Sequence, residues 1–389
     1  MRLNRNHQAF MALVRAGLWE KEVRLLPYGE IDFNAIYELA QEQSVVGLLA
    51  AGLEHVKDVK VPQALALIIA GEVLQLEQRN RAMNEFVADM VAKMREAGIY
   101  TLVIKGQGVA QCYERPLWRA SGDVDFFLSE ENFLLAREFF RPLVSNGFDP
   151  SDENARNISA QLLPWDIELH TNQFCGLSKK MDAGIRNVQN SVIYEGQVRS
   201  WMNEKTQIFL PSADNDAIFV FTHFLKHFYK GGLGLRQICD WCRLLWTYKD
   251  SMNRELLDSR IRRMGLMSEW KAFAAFAVDY LGMPREVMPF YSSSRKWNRK
   301  AKRICKFVIE VGNMGHNRDM RFYASKWFFE RKVKSFGIRL KDLIRHASIF
   351  PLDSVVFFIN ITTNGFVAFL NRKNYRDYQE CKRISERGI

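Results

Sequence analysis

Cysteine is scarce and scattered in this 389-residue chain, with six residues at 112, 175, 239, 242, 305 and 381. That is no disulfide framework in so long a chain, and a reducing cytoplasm is the expected compartment. Internal repeats and low-complexity segments are missing too, which excludes solenoids and arrays. After Met1 the stretch "RLNRNHQAF" has no apolar core of the signal-peptide kind. One run, "PLDSVVFFINITTNGFVAFLN" at 351–371, has the ~20 residues of a membrane span. Asp353, Asn360, Thr362, Thr363, Asn364 and Gly365 interrupt it. A buried helix pair or strands is the expectation there, with peripheral membrane contact as the lesser alternative.

What the chain does contain is ordinary globular material: 48% apolar, 25% charged and 13% aromatic residues, a composition that excludes global disorder. Its length favours two or three domains over one core. The net charge of +11 is concentrated, because residues 295–345 hold 16 Lys/Arg against 4 Asp/Glu and the remainder is close to neutral. In "RKWNRKAKRICKF" and "FFERKVKSFGIRLKDLIRH" the charges interleave with aromatic and aliphatic residues. Such a surface suits RNA or another polyanion, and it equally suits a solvated helical face.

Three parts follow from the periodicity. Residues 1–98 read as a helical region, with "FNAIYELAQEQSVVGLLAAGL" and a long segment from Pro62 to Gly98 at helical spacing. Residues 99–210 alternate short strands with helices. "YTLVI", "GDVDFFL" and the two halves of "ISAQLLPWDIELHTN" read as strands, "GVAQCYE" as a helix, and "EENFLLAREFFRPLVSNG" as an amphipathic helix ended by Gly147. Residues 211–389 return to helices, with Ser212 or Asp214 as the first N-cap, and carry the basic window. The fold class predicted is α+β, a small mixed sheet flanked by helical regions.

The chemistry is concentrated in the middle part. Asp123 and Asp125 stand two apart in a strand pattern, so both carboxylates share one face and repel. A divalent cation, Mg²⁺ or Mn²⁺, answers that repulsion, since hard cations take carboxylate oxygens and leave sites for phosphates. In "PWDIELH" the residues Asp166, Glu168 and His170 alternate with Ile167 and Leu169, which offers a third carboxylate for a metal clamp of phosphoryl transfer. In "VIKGQG", Gly106 and Gly108 sit at a strand-to-helix turn where backbone N–H groups can approach phosphate. Lys105 and Arg119 are the nearby cations. Arg119 is equally placed to neutralise Asp123 or Asp125 by a salt bridge.

The ordered series "IKGQGVAQCYERPLWRASGDVDFFL", then "DIELH", then "GLRQICDWCRLL" resembles the DNA polymerase β-like nucleotidyltransferase superfamily. Within it, the series is similar to a bacterial family known mainly as uncharacterised nucleotidyltransferases, over roughly residues 95–250. The resemblance implies a polymerase β-like core that moves a nucleoside monophosphate from an NTP to a hydroxyl of RNA, protein or a small molecule. It implies Asp123, Asp125 and Glu168 as metal and catalytic carboxylates, with Lys105, Gly106 and Gly108 beside the triphosphate. Gln107 departs from the Gly or Ser usual after the first glycine, and Asp166 also fits the acidic position. Glu168 is preferred because it stands two before His170.

Other motifs have plainer readings. His223 and His227 are i, i+4 on a helix, the spacing of a zinc pair without a third ligand, so helical histidines lining the cleft are expected, His227 among them. Cys239 and Cys242 form a lone CxxC without a partner pair. Arg236 and Asp240 are i, i+4 neighbours whose default is a helix-surface ion pair, and the family helix brings them towards the cleft. The rival functional class is an inactive nucleotidyltransferase-fold module that binds nucleic acid or a protein through its basic helices.

Overall fold

The structure, a computed structural model, describes residues 3–144, 157–313 and 328–363. The chain opens with α1 (Arg5–Trp19), whose N-cap Asn4 accepts a bond from the His7 N–H, and α2 (Phe33–Glu42), capped by Asp32. The periodic segment that sequence reading takes as one helix breaks at Gln43–Val45, where Ser44 has φ +55°, and resumes as α3 (Val46–Glu54). Then comes α4 (Gln63–Glu96), which follows Pro62 and stops where Gly98 takes φ +76°.

Six strands form one mixed sheet in the order β3-β4-β2-β1-β6-β5. In chain order they are β1 (Leu102–Ile104), β2 (Asp123–Phe127), β3 (Asn157–Leu162), β4 (Trp165–His170), β5 (Val198–Asn203) and β6 (Thr206–Pro211). The short α5 (Gly106–Ala110) and α6 (Glu130–Phe140) flank β2, and α7 (Lys179–Ile193) precedes β5. α5 is shorter than the helix expected over "GVAQCYE", and α6 ends at Phe140, well short of Gly147, which lies outside the described residues. β2 runs antiparallel to β1 and parallel to β4.

Alternation along these strands sorts the side chains. Val103, Val124, Phe126, Ile167 and Leu169 point to one face and pack under the second half of α4 and under α6. Phe126 and Phe140 are fully buried there. Each such side chain contributes roughly 1.5–3 kcal/mol of burial free energy. The polar residues of β2 and β4 are thereby committed to the opposite face, which looks towards the helices after Pro211.

Those helices are α8 (Ala213–Lys230), α9 (Leu235–Thr247), α10 (Arg254–Met264), α11 (Met267–Leu281), α12 (Arg295–Val311) and α13 (Phe328–Ala347), with a further helix at 351–363. Ser212 is the N-cap of α8, while Asp214 accepts from the Asn253 N–H at 2.7 Å. The apolar core is continuous from α1 and α3 through α8, α9, α11 and α12. α12 buries Ala301, Ile304, Cys305 and Val308 and turns Arg295, Arg299, Lys302, Arg303 and Lys306 to solvent on one side. The start of the 351–371 run is a single half-exposed helix rather than a buried pair or strands: Ser354 and Phe357 are buried, while Leu352, Val356 and Ile359 are exposed. Residues 364–371 lie outside the described residues. Among those described, no helix is long and apolar enough to cross a membrane, and the five described cysteines are free and buried.

One core group makes stability depend on pH. Glu269 on α11 is wholly buried, faced by Asp353 from the 351–363 helix, Tyr229 from α8 and Lys300 from α12. Burial, then Asp353, push its carboxyl up to about 8. Between the ordinary glutamate range and that value the folded chain holds a proton that the unfolded chain has released. Rising pH therefore lowers stability across this window. At about 1.4 kcal/mol per unit, the loss should reach a few kcal/mol by pH 8.5. Urea unfolding of Glu269→Gln at pH 5 and pH 8.5 should show a flatter profile than the native protein. Parallel profiles would mean that Glu269 titrates normally.

Candidate active site

The parallel register of β2 and β4 sets the site. Asp123 is paired with Asp166, Asp125 with Glu168, and Phe127 with His170. Period-two alternation then puts Asp123, Asp125, Asp166, Glu168 and His170 on one face of two adjacent strands. Single ligand atoms of Asp125, Glu168 and His170 lie within 4.8 Å of one another, the only such group of three found among the described residues. Asp123 and Asp166 are exposed at the start of their strands, while Asp125 is only 4% exposed.

Like charges this close need compensation, and the Lys105 ammonium and the His170 imidazole supply it. Lys105 Nζ donates to Asp125 Oδ1 at 2.8 Å. His170 Nε2 is 2.8 Å from the same oxygen and 3.0 Å from Glu168 Oε2, and its Nδ1 is 3.3 Å from Asn157 Oδ1. Burial opposes the charge of Asp125, but Lys105 and His170 outweigh it and hold its carboxyl well below the usual range. The His170 bond holds Glu168 low as well. Asp123 goes the other way: the residue is exposed at the strand start, but its carboxyl is crowded by the cleft walls and by the Asp125 charge, and both raise it. Burial would lower Lys105 and His170, yet their carboxylate partners leave both above their ordinary values. The protein thus holds Asp125 and Glu168 ionised and side by side.

The turn before β2 differs in part from the sequence expectation. Lys105 and Gly106 both adopt positive φ, +55° and +34°, and both border an open cleft together with Asp123 and Asp125. Gly108 does not border it. A Cβ at Gly108 would come within 2.7 Å of Leu210 Cδ2, so this glycine serves the packing of α5 on β6 rather than the approach of a phosphate. Gln107 also faces away. Its buried amide donates weakly to Asn80 on α4, at 3.3 Å and 3.4 Å, and accepts from Ser121 Oγ at 3.1 Å. Gln107 therefore ties Ser121 to α4 and does not line the cleft.

The other wall comes from α8 and α9, through Val220, His223, Arg236 and Asp240. Arg119 lines the cleft but forms no salt bridge with Asp123 or Asp125. Its Nε and Nη2 donate to the two oxygens of Asp240, each at 2.7 Å, and Tyr113 Oη donates to Asp240 Oδ1 at 2.7 Å. The expected helix-surface pair of Arg236 with Asp240 is accordingly absent: Asp240 is 5% exposed and taken by Arg119, and Arg236 donates to the Ala120 carbonyl at 2.7 Å. It is His223, not His227, that borders the cleft. The two rings meet at 3.0 Å. Burial, then Lys105, hold His223 well below the ordinary imidazole value, and burial, then Lys226, bring His227 down to about 4.

Sequence reading expects a histidine of this pair at the cleft but names His227 where the structure has His223, and it misses Tyr113 as a partner of Asp240. The i, i+4 spacing of His223 and His227 leaves open which of them faces the sheet. No local pattern joins Tyr113 to a residue 127 positions away.

A row of paired carboxylates beside a strained strand-to-helix turn, facing a helical wall that carries Arg236, is suited to metal-assisted handling of phosphates. No curated protein and no solved structure matches the chain. A family model described as uncharacterised nucleotidyltransferase matches residues 29–282, from before α2 through α11, well over half the chain and wider than the motif series alone. The chain belongs to that family, and the mixed sheet with its acidic edge is the core of a nucleotidyltransferase.

Proposed function

We propose that this protein transfers a nucleoside monophosphate from an NTP to a hydroxyl of an acceptor and releases pyrophosphate. The carrying observation is the β2–β4 register, which sets Glu168 beside Asp125 and Asp166 beside Asp123; Asp123 and Asp125 border the cleft, whereas Asp166, Glu168 and His170 do not. The donor set fits a hard divalent cation, because oxygen ligands dominate it and ligand atoms of Asp125, Glu168 and His170 are close enough to meet at one ion. Asp123, Asp125 and Glu168 would hold Mg²⁺ or Mn²⁺, which when bound neutralises phosphate charge and orients the α-phosphate.

The chain's own residues supply the rest. His170 orients Asp125 and Glu168 through its two Nε2 contacts. Lys105, in the cleft beside Asp125, offers a charge to the phosphates. The acceptor oxygen bonds to the α-phosphorus as the bond to the β-phosphate bridging oxygen breaks, and the hydroxyl proton passes to a cleft carboxylate.

The test is incubation with each α-labelled NTP, Mg²⁺ or Mn²⁺, and total cell RNA and protein. RNA belongs in the mixture because of the basic solvent side of α12. Label on a macromolecule that Asp123→Ala/Asp125→Ala fails to produce supports the reading and names the acceptor class. No label, with no change in melting temperature on adding metal and NTP, overturns it in favour of a binding module.

A further inference from the structure

Of the three cations in the cleft, two are already committed to carboxylates. Lys105 is held by Asp125, and Arg119 is clamped through two 2.7 Å bonds by Asp240. Arg236 has no such partner among the described residues. Its Nη1 reaches the Ala120 carbonyl at 2.7 Å, and its buried Nε has no hydrogen bond. A guanidinium presents five donors in a planar fork matched to phosphate oxygens, so this one is engaged far below capacity. Burial, then the neighbouring Arg119 guanidinium, both disfavour its charge. Asp240 and Asp123 favour its charge from a distance but neither bonds it, so a largely buried guanidinium beside another cation is left with only a carbonyl as hydrogen-bond partner, an arrangement that an anion would complete. Arg236 also stands in the first turn of the 13-residue α9, whose positive end borders the cleft through Arg236 and Gln237.

We propose that Arg236 is the principal protein contact for the phosphate chain of the nucleotide. It binds the β- and γ-phosphates that leave as pyrophosphate, across the cleft from Asp123 and Asp125. This rests on the reading of the site as an NTP site and adds to it which residue takes the leaving group. Arg119, clamped by Asp240, holds the wall on which Arg236 stands. The Ala120 carbonyl fixes the direction of the fork.

The experiment measures binding of inorganic tripolyphosphate with Mg²⁺ by titration calorimetry, on the native protein, Arg236→Gln and Arg236→Lys, with melting temperatures as the control for folding. Charge-assisted bonds of this kind are worth enough that Arg236→Gln should weaken binding about tenfold to a hundredfold. Arg236→Lys keeps the charge without the fork and should fall in between. A strut that merely held Ala120 would alter melting temperature and leave tripolyphosphate affinity unmoved, and that result overturns the proposal. So does failure of the native protein to bind tripolyphosphate. Should Arg236→Gln not fold, Arg236→Lys decides, with undiminished affinity overturning the proposal and a severalfold loss supporting it. Transfer activity is read separately. Arg236-dependent binding without transfer to any acceptor would retain this inference and remove the reaction. Transfer with an unchanged KM for NTP in Arg236→Gln would do the reverse.

Discussion

Asp125→Asn is expected to lower nucleotidyl transfer by about a thousandfold or more, because Asp125 is the carboxylate on which the whole site converges. Lys105 and His170 both bond its Oδ1, and Glu168 is its strand partner. The amide keeps the shape but supplies no charge to a cation. Charge stabilisation by a catalytic metal is worth several kcal/mol, and each 1.4 kcal/mol is about tenfold in rate. The substitution also leaves Lys105 without its direct partner in a buried setting. Breaking a buried pair from one side costs about 3–5 kcal/mol, and Glu168 nearby should keep the loss at the lower end. Asp166→Asn is the matched control: the same strand face, but exposed and beside Asp123 rather than Asp125. Its transfer rate should stay within about tenfold of native, consistent with outer-edge placement. Label-transfer rates and urea unfolding of the two variants check both statements. Asp125→Asn with near-native transfer would remove the metal-clamp reading.

Much of this core was legible because its signals are local. A period of two in "GDVDFFL" and "PWDIELH" fixes which residues share a face, whatever the partner strand. The flanking glycines mark a turn whatever packs on it. What could not be read is non-local or disguised. The hairpin of β5 and β6 turns through Glu204 at φ +50°, a position where Asn or Gly is the usual signal, so the sequence carries no hairpin mark there. β6 is nonetheless the parallel neighbour of β1 and supplies Leu210, which makes Gly108 necessary. The roles of the two glycines in "KGQG" therefore look alike in sequence and separate only in space. Charge pairing failed for a related reason. The i, i+4 rule joins Arg236 to Asp240 by default, but a buried carboxylate goes to whichever guanidinium can bond both of its oxygens, and Arg119 does so from 121 residues away.

That Arg119–Asp240 pair has an expected behaviour that separates framework from substrate contact. Both residues are buried, at 8% and 5% exposure, and Tyr113 adds a third bond to the carboxylate. Removing either charge alone leaves the other uncompensated, so Arg119→Met and Asp240→Asn should each destabilise the protein by about 3–5 kcal/mol. The double variant Arg119→Met/Asp240→Leu leaves neither charge orphaned and should cost clearly less than the two single losses added together. Nucleotide affinity should move differently. Arg119→Met leaves an unpaired carboxylate at the cleft wall, which repels phosphates and should raise the KM for NTP. Asp240→Asn releases Arg119 beside Arg236 and adds positive charge to the same wall, so KM should hold or fall while the fold weakens. Urea unfolding and NTP saturation curves on the three variants read the two quantities independently. If affinity instead tracked stability in all of them, the pair would act only by holding the wall in shape, and the field it sets in the cleft would be immaterial to the nucleotide.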